Sequence, residues 1–244
     1  MKKLILNIGS RPATALLPVS QASISEIIDS LPLPPHQAVL LVVGAAGSLS
    51  PRVRPQLVPL FEQVAQVAHE TGTILLDGGT QAGVMALLGE AVARQGNRSA
   101  LLGVAPAALV SYPGAPATNA PLEPHHSHFV LVEGSEWGNE TATLFALATG
   151  LAARPTGPLP AAVLLAGGGG ITRDEIVQAV RHQLPVLVIT GTGGLADELA
   201  AAWPNRQTPP EESKLAEILA AGRLQFFLLD GAPTVLAQML RQLL

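Results

Sequence analysis

Val39-Leu40-Leu41-Val42-Val43 runs directly into Gly44-Ala45-Ala46-Gly47-Ser48, and this junction decides the fold. Five apolar residues without polar alternation describe a strand buried on both faces. The glycines stop it. A helix-like stretch follows from Leu57 to Glu70, with Leu57, Leu60, Phe61, Val64, Val67 and Ala68 at helical spacing. The same sequence grammar recurs downstream. Thr73–Leu76 leads into Asp77-Gly78-Gly79-Thr80, and Leu101–Val104 into Ala105-Pro106. Phe129–Val132 leads into Glu133-Gly134-Ser135, and Val163–Leu165 into Ala166-Gly167-Gly168-Gly169-Gly170. Val186–Ile189 leads into Thr190-Gly191-Thr192-Gly193-Gly194, and Phe226–Leu229 into Asp230-Gly231. Unbroken apolar strands alternating with helices predict an α/β fold. It is Rossmann-like and doubly wound, with a mostly parallel sheet of about seven strands.

The 244 residues suit one such domain with a sizeable core. Residues 1–37 fit the pattern poorly and read as an N-terminal extension, with an added strand at Lys3–Ile8 and a short helix at Ile24–Ser30. Residues 38–203 are the core, and 204–244 supply a last strand and helices. Two connections stand out. Pro106–Pro124 holds five prolines and is long for a compact domain, so it reads either as a lid or binding loop or as a surface excursion. Pro204–Pro210 reads as an ordinary polar connection, followed by a helix from Glu211.

Composition narrows the function. Hydrophobic residues are 48% of the chain and charged residues 13%, more apolar than one core of this length needs, which predicts a homo-oligomer. The net charge of −4, without a cluster of basic residues, argues against a nucleic-acid polymer as partner. The absence of cysteine excludes disulfides, thiolate zinc sites and a thiol nucleophile. No apolar run is long enough for a membrane helix, and Met1–Asn7 is too short for a secretory signal, so no membrane partner and a cytoplasmic location are expected.

Four glycine-rich strand ends, at Gly44, Gly78, Gly167 and Gly191, are expected to converge on one sheet edge. Parallel strands finish there and helices begin there, with unpaired N–H groups that suit phosphate. Candidate ligand-binding residues are Gly44, Ala45, Gly47, Ser48, Gly78, Gly79, Thr80, Gly167, Gly168, Gly169, Gly170, Thr172, Gly191, Thr192 and Gly193, joined by His128 and Trp137. Arg52, Arg54 and Arg173 are candidates for added positive charge. None of the loops has the dinucleotide fingerprint or the lysine of a P-loop. Thr172 and Glu175 have the spacing of a capping box, in which they satisfy helix-end N–H groups without a ligand. The rival reading makes Glu175, with Glu140 and Arg173, the candidate catalytic set of an enzyme. His125, His126 and His128 have no acidic pair at metal-site spacing, so no metal is expected.

Several segments occur in an order that resembles a known family. They are Asp77-Gly78-Gly79-Thr80-Gln81-Ala82-Gly83-Val84-Met85 with Gly89-Glu90-Ala91-Val92, then His126-Ser127-His128-Phe129, then Trp137-Gly138-Asn139-Glu140, Gly167–Gly170, and Gly191-Thr192-Gly193-Gly194-Leu195-Ala196-Asp197. Together, over Val39 to Trp203, they resemble the SLOG superfamily in its prokaryotic LSDAT branch, related to the cytoplasmic N-terminal domain of melastatin-type TRP channels. The resemblance implies a Rossmann-like fold that senses nucleotide derivatives such as ADP-ribose or NAD-related molecules, with no cofactor required. It also implies a distant relation to LOG phosphoribohydrolases, which cleave the N-glycosidic bond of nucleoside monophosphates. Their Pro-Gly-Gly-x-Gly-Thr-x-x-Glu run is altered here, because the proline is missing and Thr172 and Glu175 align only across one extra residue. The expectation is therefore a nucleotide-like small molecule bound without turnover. The alternatives are a nucleotide N-glycosidase and an oligomeric scaffold with a vestigial pocket. As no output domain is evident in the sequence, an effector protein is the expected partner.

Overall fold

The computed structural model describes residues 1–18, 22–207 and 213–244. Its main sheet has nine strands in the order β1-β2-β8-β5-β4-β3-β9-β10-β11. β3 (Ala38–Gly44) is the middle one of the seven strands from β8 to β11. To one side lie β4 (Thr73–Asp77), β5 (Leu101–Pro106) and β8 (His128–Val132). To the other lie β9 (Ala161–Ala166), β10 (Val186–Thr190) and β11 (Leu224–Leu228). Every pairing among these strands is parallel. Alternate residues of β3 feed two cores, Val39, Leu41 and Val43 on one face and Leu40 and Val42 on the other.

Helices α1 (Ile24–Ser30), α4 (Thr141–Ala152), α5 (Gly170–Arg181), α6 (Gly194–Ala202) and α7 (Ser213–Ala221) cover the first face. Helices α2 (Arg54–Thr71), α3 (Gly83–Arg94) and α8 (Pro233–Leu243) cover the second. With both faces roofed, the strands carry no polar face, which explains their unbroken apolar runs.

The sheet exceeds the expected seven strands because the N-terminal extension contributes two. β1 (Lys2–Leu6) and β2 (Ala13–Leu17) form an antiparallel hairpin, and β2 pairs parallel with β8. β2 was not legible because Ala-Thr-Ala-Leu-Leu has weak strand preference and is held by its neighbours. The helix expected over Ile24–Ser30 is present and starts with a capping box of Ser23 and Glu26.

The long connection after β5 is ordered. Two short strands, β6 (Val110–Ser111) and β7 (Ala120–Pro121), pair parallel, and Leu122 bridges to Thr80. The chain thus returns against the sheet edge. Part of the expected Pro204–Pro210 connection and the start of the helix expected from Glu211 lie outside the described residues. Among the described residues no helix is long and apolar enough to cross a membrane.

Candidate functional site

The chain runs outward from β3 to β4, β5 and β8, then returns to β9 on the other flank of β3. In a doubly wound sheet this reversal opens a crevice at the carboxyl ends of the two strands. A cleft of about 460 Å³ lies there, lined by Gly44–Ser48 after β3 and by Gly169, Gly170, Ile171 and Thr172 after β9. That volume is in the range of small-molecule sites. Gly78 and Thr80 after β4 line it as well, as do Ala120 and Pro121 from the returning connection. Trp137 is 43% exposed and stands at the wall.

All four glycine loops share one edge, on the adjacent strands β4, β3, β9 and β10, but they are not equivalent. Among the described residues, the N–H groups of Ala46, Gly47 and Ser48 meet no protein acceptor, and neither do those of Gly170, Ile171 and Thr172 in the first turn of α5. In the Gly191–Gly194 loop the Gly191 and Gly193 N–H groups are already taken. Asp197 accepts from the Gly191 N–H (2.5 Å) and the Gly193 N–H (3.0 Å), so the loop holds an anion of its own. The Thr192 hydroxyl accepts from the Gly167 N–H at 2.7 Å, and the carbonyls of Gly168 and Gly167 accept from Leu195 and Ala196 at the start of α6. Gly167, Gly168 and Thr192 therefore knit the end of β9 to the end of β10 and to α6, Gly191 and Gly193 are tied to Asp197 of α6, and none of the five lines the cleft. Gly79 lies behind it, with its N–H on Asp77 Oδ1 at 2.6 Å. His128 is at the opposite end of its strand, paired with Leu102 and Thr14, and bonds Ser127. Burial pulls its ring down from the ordinary histidine range, and it plays no part in the cleft.

Among the described residues two carboxyl groups line the cleft. Glu175 is one turn into α5, and its side chain slopes back toward the helix N-terminus. Glu140 precedes α4 and accepts from the Gly138 N–H at 2.8 Å. Burial pushes both above the usual carboxylate range. Glu175 reaches about 8, because the charges of Glu140 and Asp77 add to burial while the Thr172 hydroxyl pulls the other way. The residue at the head of α5 is Gly169, with no side-chain cap, so the capping-box reading of Thr172 and Glu175 is corrected. The helix starts three residues earlier than that reading requires. This leaves Thr172 in the first turn and turns Glu175 into the cleft.

Among the described residues no Arg, Lys or His lines the cleft. Arg54 is paired with Glu90, and Arg173 with Glu198 at 2.5 Å. Arg52 is exposed and lies outside the lining.

Behind the wall is a buried ionic knot that sequence reasoning did not assemble. His126 Nε2–H donates to Asp77 Oδ1 and Nδ1–H to Glu123 Oε2, both at 2.8 Å. Two acceptors, one on each ring nitrogen, require an imidazolium. Burial works against that charge, but Asp77 and Glu123 outweigh it and raise the ring to about 9. Glu123 Oε2 also accepts from the His125 N–H at 2.8 Å. A Cβ on Gly89, inside α3, would stand 2.2 Å from that same oxygen, which explains a glycine in a helix interior. The knot ties the connection after β5 to the end of β4. Asp77 Oδ2 stays buried without a partner among the described residues. Its signals were a histidine three residues from a glutamate and a mid-helix glycine, but 49 residues separate Asp77 from His126. Among the described residues no group of three or more His, Asp or Glu side chains is arranged to hold a metal.

Comparison with known proteins matches this architecture. The family described as SLOG in TRPM, prokaryote, matches residues 37–238. A transient receptor potential cation channel subfamily M member-like 2 from Nematostella vectensis is 25% identical over 202 residues, covering 68% of this chain. The match is 13% of that relative's length, so the chain corresponds to one part of a much larger protein. With a family model spanning the glycine-loop edge, the cleft and the ionic knot behind it, this chain belongs to the prokaryotic SLOG-in-TRPM family, LSDAT.

Proposed function

We propose that the cleft binds a phosphate-bearing, nucleotide-derived ligand of the ADP-ribose or NAD-related kind and acts as a sensor without turnover. The observation that carries this reading is the pair of unsatisfied N–H runs, at Ala46–Ser48 and Gly170–Thr172, both lining one cleft. Backbone N–H groups at a helix N-terminus offer an anion fixed donors and a favourable dipole without a basic side chain. Trp137, with Ala120 and Pro121, offers an apolar wall for a base.

The test is a thermal-shift screen with AMP, NAD, ADP-ribose and cyclic dinucleotides, because a ligand of the native state raises its apparent stability. The expected result is a shift with at least one of them that is lost in Gly170→Val. A Cβ at Gly170 meets nothing within 4 Å, so this variant folds while its side chain crowds the anion position. No shift with any of them contradicts the reading.

A second reading is favoured by one observation, two carboxyls of raised affinity for protons in the same cleft. Such a pair suits acid–base work at a glycosidic bond. Sustained release of free base from AMP, abolished in Glu175→Gln, identifies an N-glycosidase; the sensor reading expects none.

The apolar composition, with Leu228 at 66% and Val235 at 45% exposure at the β11 side, supports a homo-oligomer that hands its signal to an effector protein. Light scattering at micromolar concentration is expected to show more than one copy, and a clean monomer contradicts it.

A further inference from the structure

We propose that Glu175 meets the ligand as a neutral carboxylic acid, donating its proton in a hydrogen bond to the anionic oxygen seated on the first turn of α5, so that anion and proton are taken up together. This rests on the binding reading above and adds how the site is regulated.

The geometry sets the problem. The N–H groups of Gly170, Ile171 and Thr172 form the first turn of α5, the positive end of its dipole, and Glu175 lies one turn further along the same helix. Its side chain slopes toward that turn. An ionised Glu175 would stand beside the bound anion with no lining cation to separate the two charges. A neutral carboxylic acid removes the repulsion and adds a donor where the anion needs one.

The surrounding charges keep the proton in place. From β4, Asp77 is fully buried, with Oδ2 unpartnered among the described residues. From the start of α4, Glu140 lines the same cleft. β3 contributes only Val42, Val43 and Gly44 to the cleft. The cations nearby are committed elsewhere, Arg173 to Glu198 of α6, Lys214 of α7 to Asp174, and Arg181 to Glu217 of α7. The Asp77 charge is shared with His126, but His126 also serves Glu123, so the knot keeps a net negative charge behind Glu175. Among the described residues, the titratable side chains that line the cleft, Glu140 and Glu175, are both acids. This agrees with the value of about 8 at which Glu175 loses its proton.

The experiment has two parts. AMP affinity is measured by calorimetry at pH 7, 8 and 9 for the wild type and for Glu175→Gln. If only the protonated form accepts the anion, wild-type affinity falls about tenfold between pH 7 and 9, following the fraction of protein still protonated. Glu175→Gln, whose amide is always a neutral donor, gives one affinity across the range, whatever its value at pH 7. Equal pH dependence in the two proteins overturns the proposal and leaves the binding reading standing. The second part needs no nucleotide. Carboxyl-13C glutamate resonances are titrated in the wild type with and without sulfate, whose charge is constant over this range. The resonance missing from Glu175→Gln is expected to titrate far above the other glutamates and to move higher still with sulfate. A midpoint in the ordinary carboxylate range, or one that sulfate leaves unmoved, overturns the proposal. Absence of AMP heat at every pH counts against the nucleotide reading alone, and the sulfate titration then decides the proton linkage.

Discussion

Two groups of acids stand at the same edge of the sheet, Asp77 with Glu123, both buried, and Glu140, buried, with Glu175, half-buried; among the described residues only the first group has a cation. Asp77 and Glu123 grip His126 from both sides, and every atom of that imidazolium able to donate does so. Glu140 and Glu175 line the cleft, with no basic side chain among its walls within the described residues. The first arrangement is closed, as its charges and hydrogen bonds are spent on holding one piece of chain to another. The second is open, with raised proton affinity and unsatisfied N–H groups beside it. The lesson is that burial of acids does not mark a site. A buried charge that has found its partner is architecture, while one left with a proton and facing a cleft is available to a ligand.

The contrast is broken most severely by His126→Gln. Glutamine cannot bridge both acids or supply the charge, so two buried carboxylates lose their counter-ion. Urea unfolding at pH 7 is expected to show a loss of about 3–5 kcal/mol. A loss under 1 kcal/mol would mean that the knot does not hold the structure.

Gly89→Ala attacks the same knot from α3. The added methyl overlaps the Glu123 carboxylate, which is pinned by His126 and cannot swing away freely. About 1–3 kcal/mol is expected to be lost, although alanine is the better helix former by roughly 1 kcal/mol. A more stable Gly89→Ala variant contradicts the close approach.

Glu175→Gln acts with the opposite sign. Glu175 holds its proton to about 8 in the folded protein against a reference of 4.5, so the folded state binds more protons across that window and stability falls as pH rises through it. The neutral amide removes this loss. The variant is expected to be more stable than wild type at pH 8–9, by at most about 4–5 kcal/mol, and to differ little at pH 4.5. His126 adds a second window. Its folded value of about 9 lies above the reference of 6.5, so its contribution is complete below 6.5 and is lost as pH rises through 9. Chemical unfolding across pH 4.5–9.5 separates the two. Glu175→Gln flattens the lower part of the decline and leaves the upper part.

The smallest effect is expected at Asp197. Asp197→Ala removes the carboxylate that fills the Gly191–Gly194 loop, at a cost of about 1 kcal/mol as for other lost caps. Nucleotide affinity at the neighbouring cleft is expected to change by about twofold or less, because that loop is no part of the lining. A larger change would place the fourth loop inside the binding site.

The fold was largely legible because strands buried on both faces write themselves as apolar runs, and Val39–Val43 and Val186–Ile189 are plain examples. The convergence of the glycine loops followed from parallel strands sharing a direction. What sequence could not supply was the partner of each group. Gly191-Thr192-Gly193 reads as well as Gly169-Gly170, yet the Asp197 carboxylate bonds the first, while no side chain caps Gly169 among the described residues. The Thr172/Glu175 spacing fits a cap, and the fit failed because Gly169 took the position at the head of the helix. Asp77 and His126 come together across 49 residues, which only the sheet order brings about.

The central claim, that the open loops of the cleft hold the anionic part of a nucleotide-like ligand, is tested most directly by amide chemical-shift mapping during an ADP-ribose titration. The amides of Ala46, Gly47, Ser48, Gly170, Ile171 and Thr172 are expected to move together with one affinity, while those of Gly191 and Gly193 stay in place. Movement at Gly191 and Gly193 with the other set unmoved, or no saturable movement at either, would contradict it.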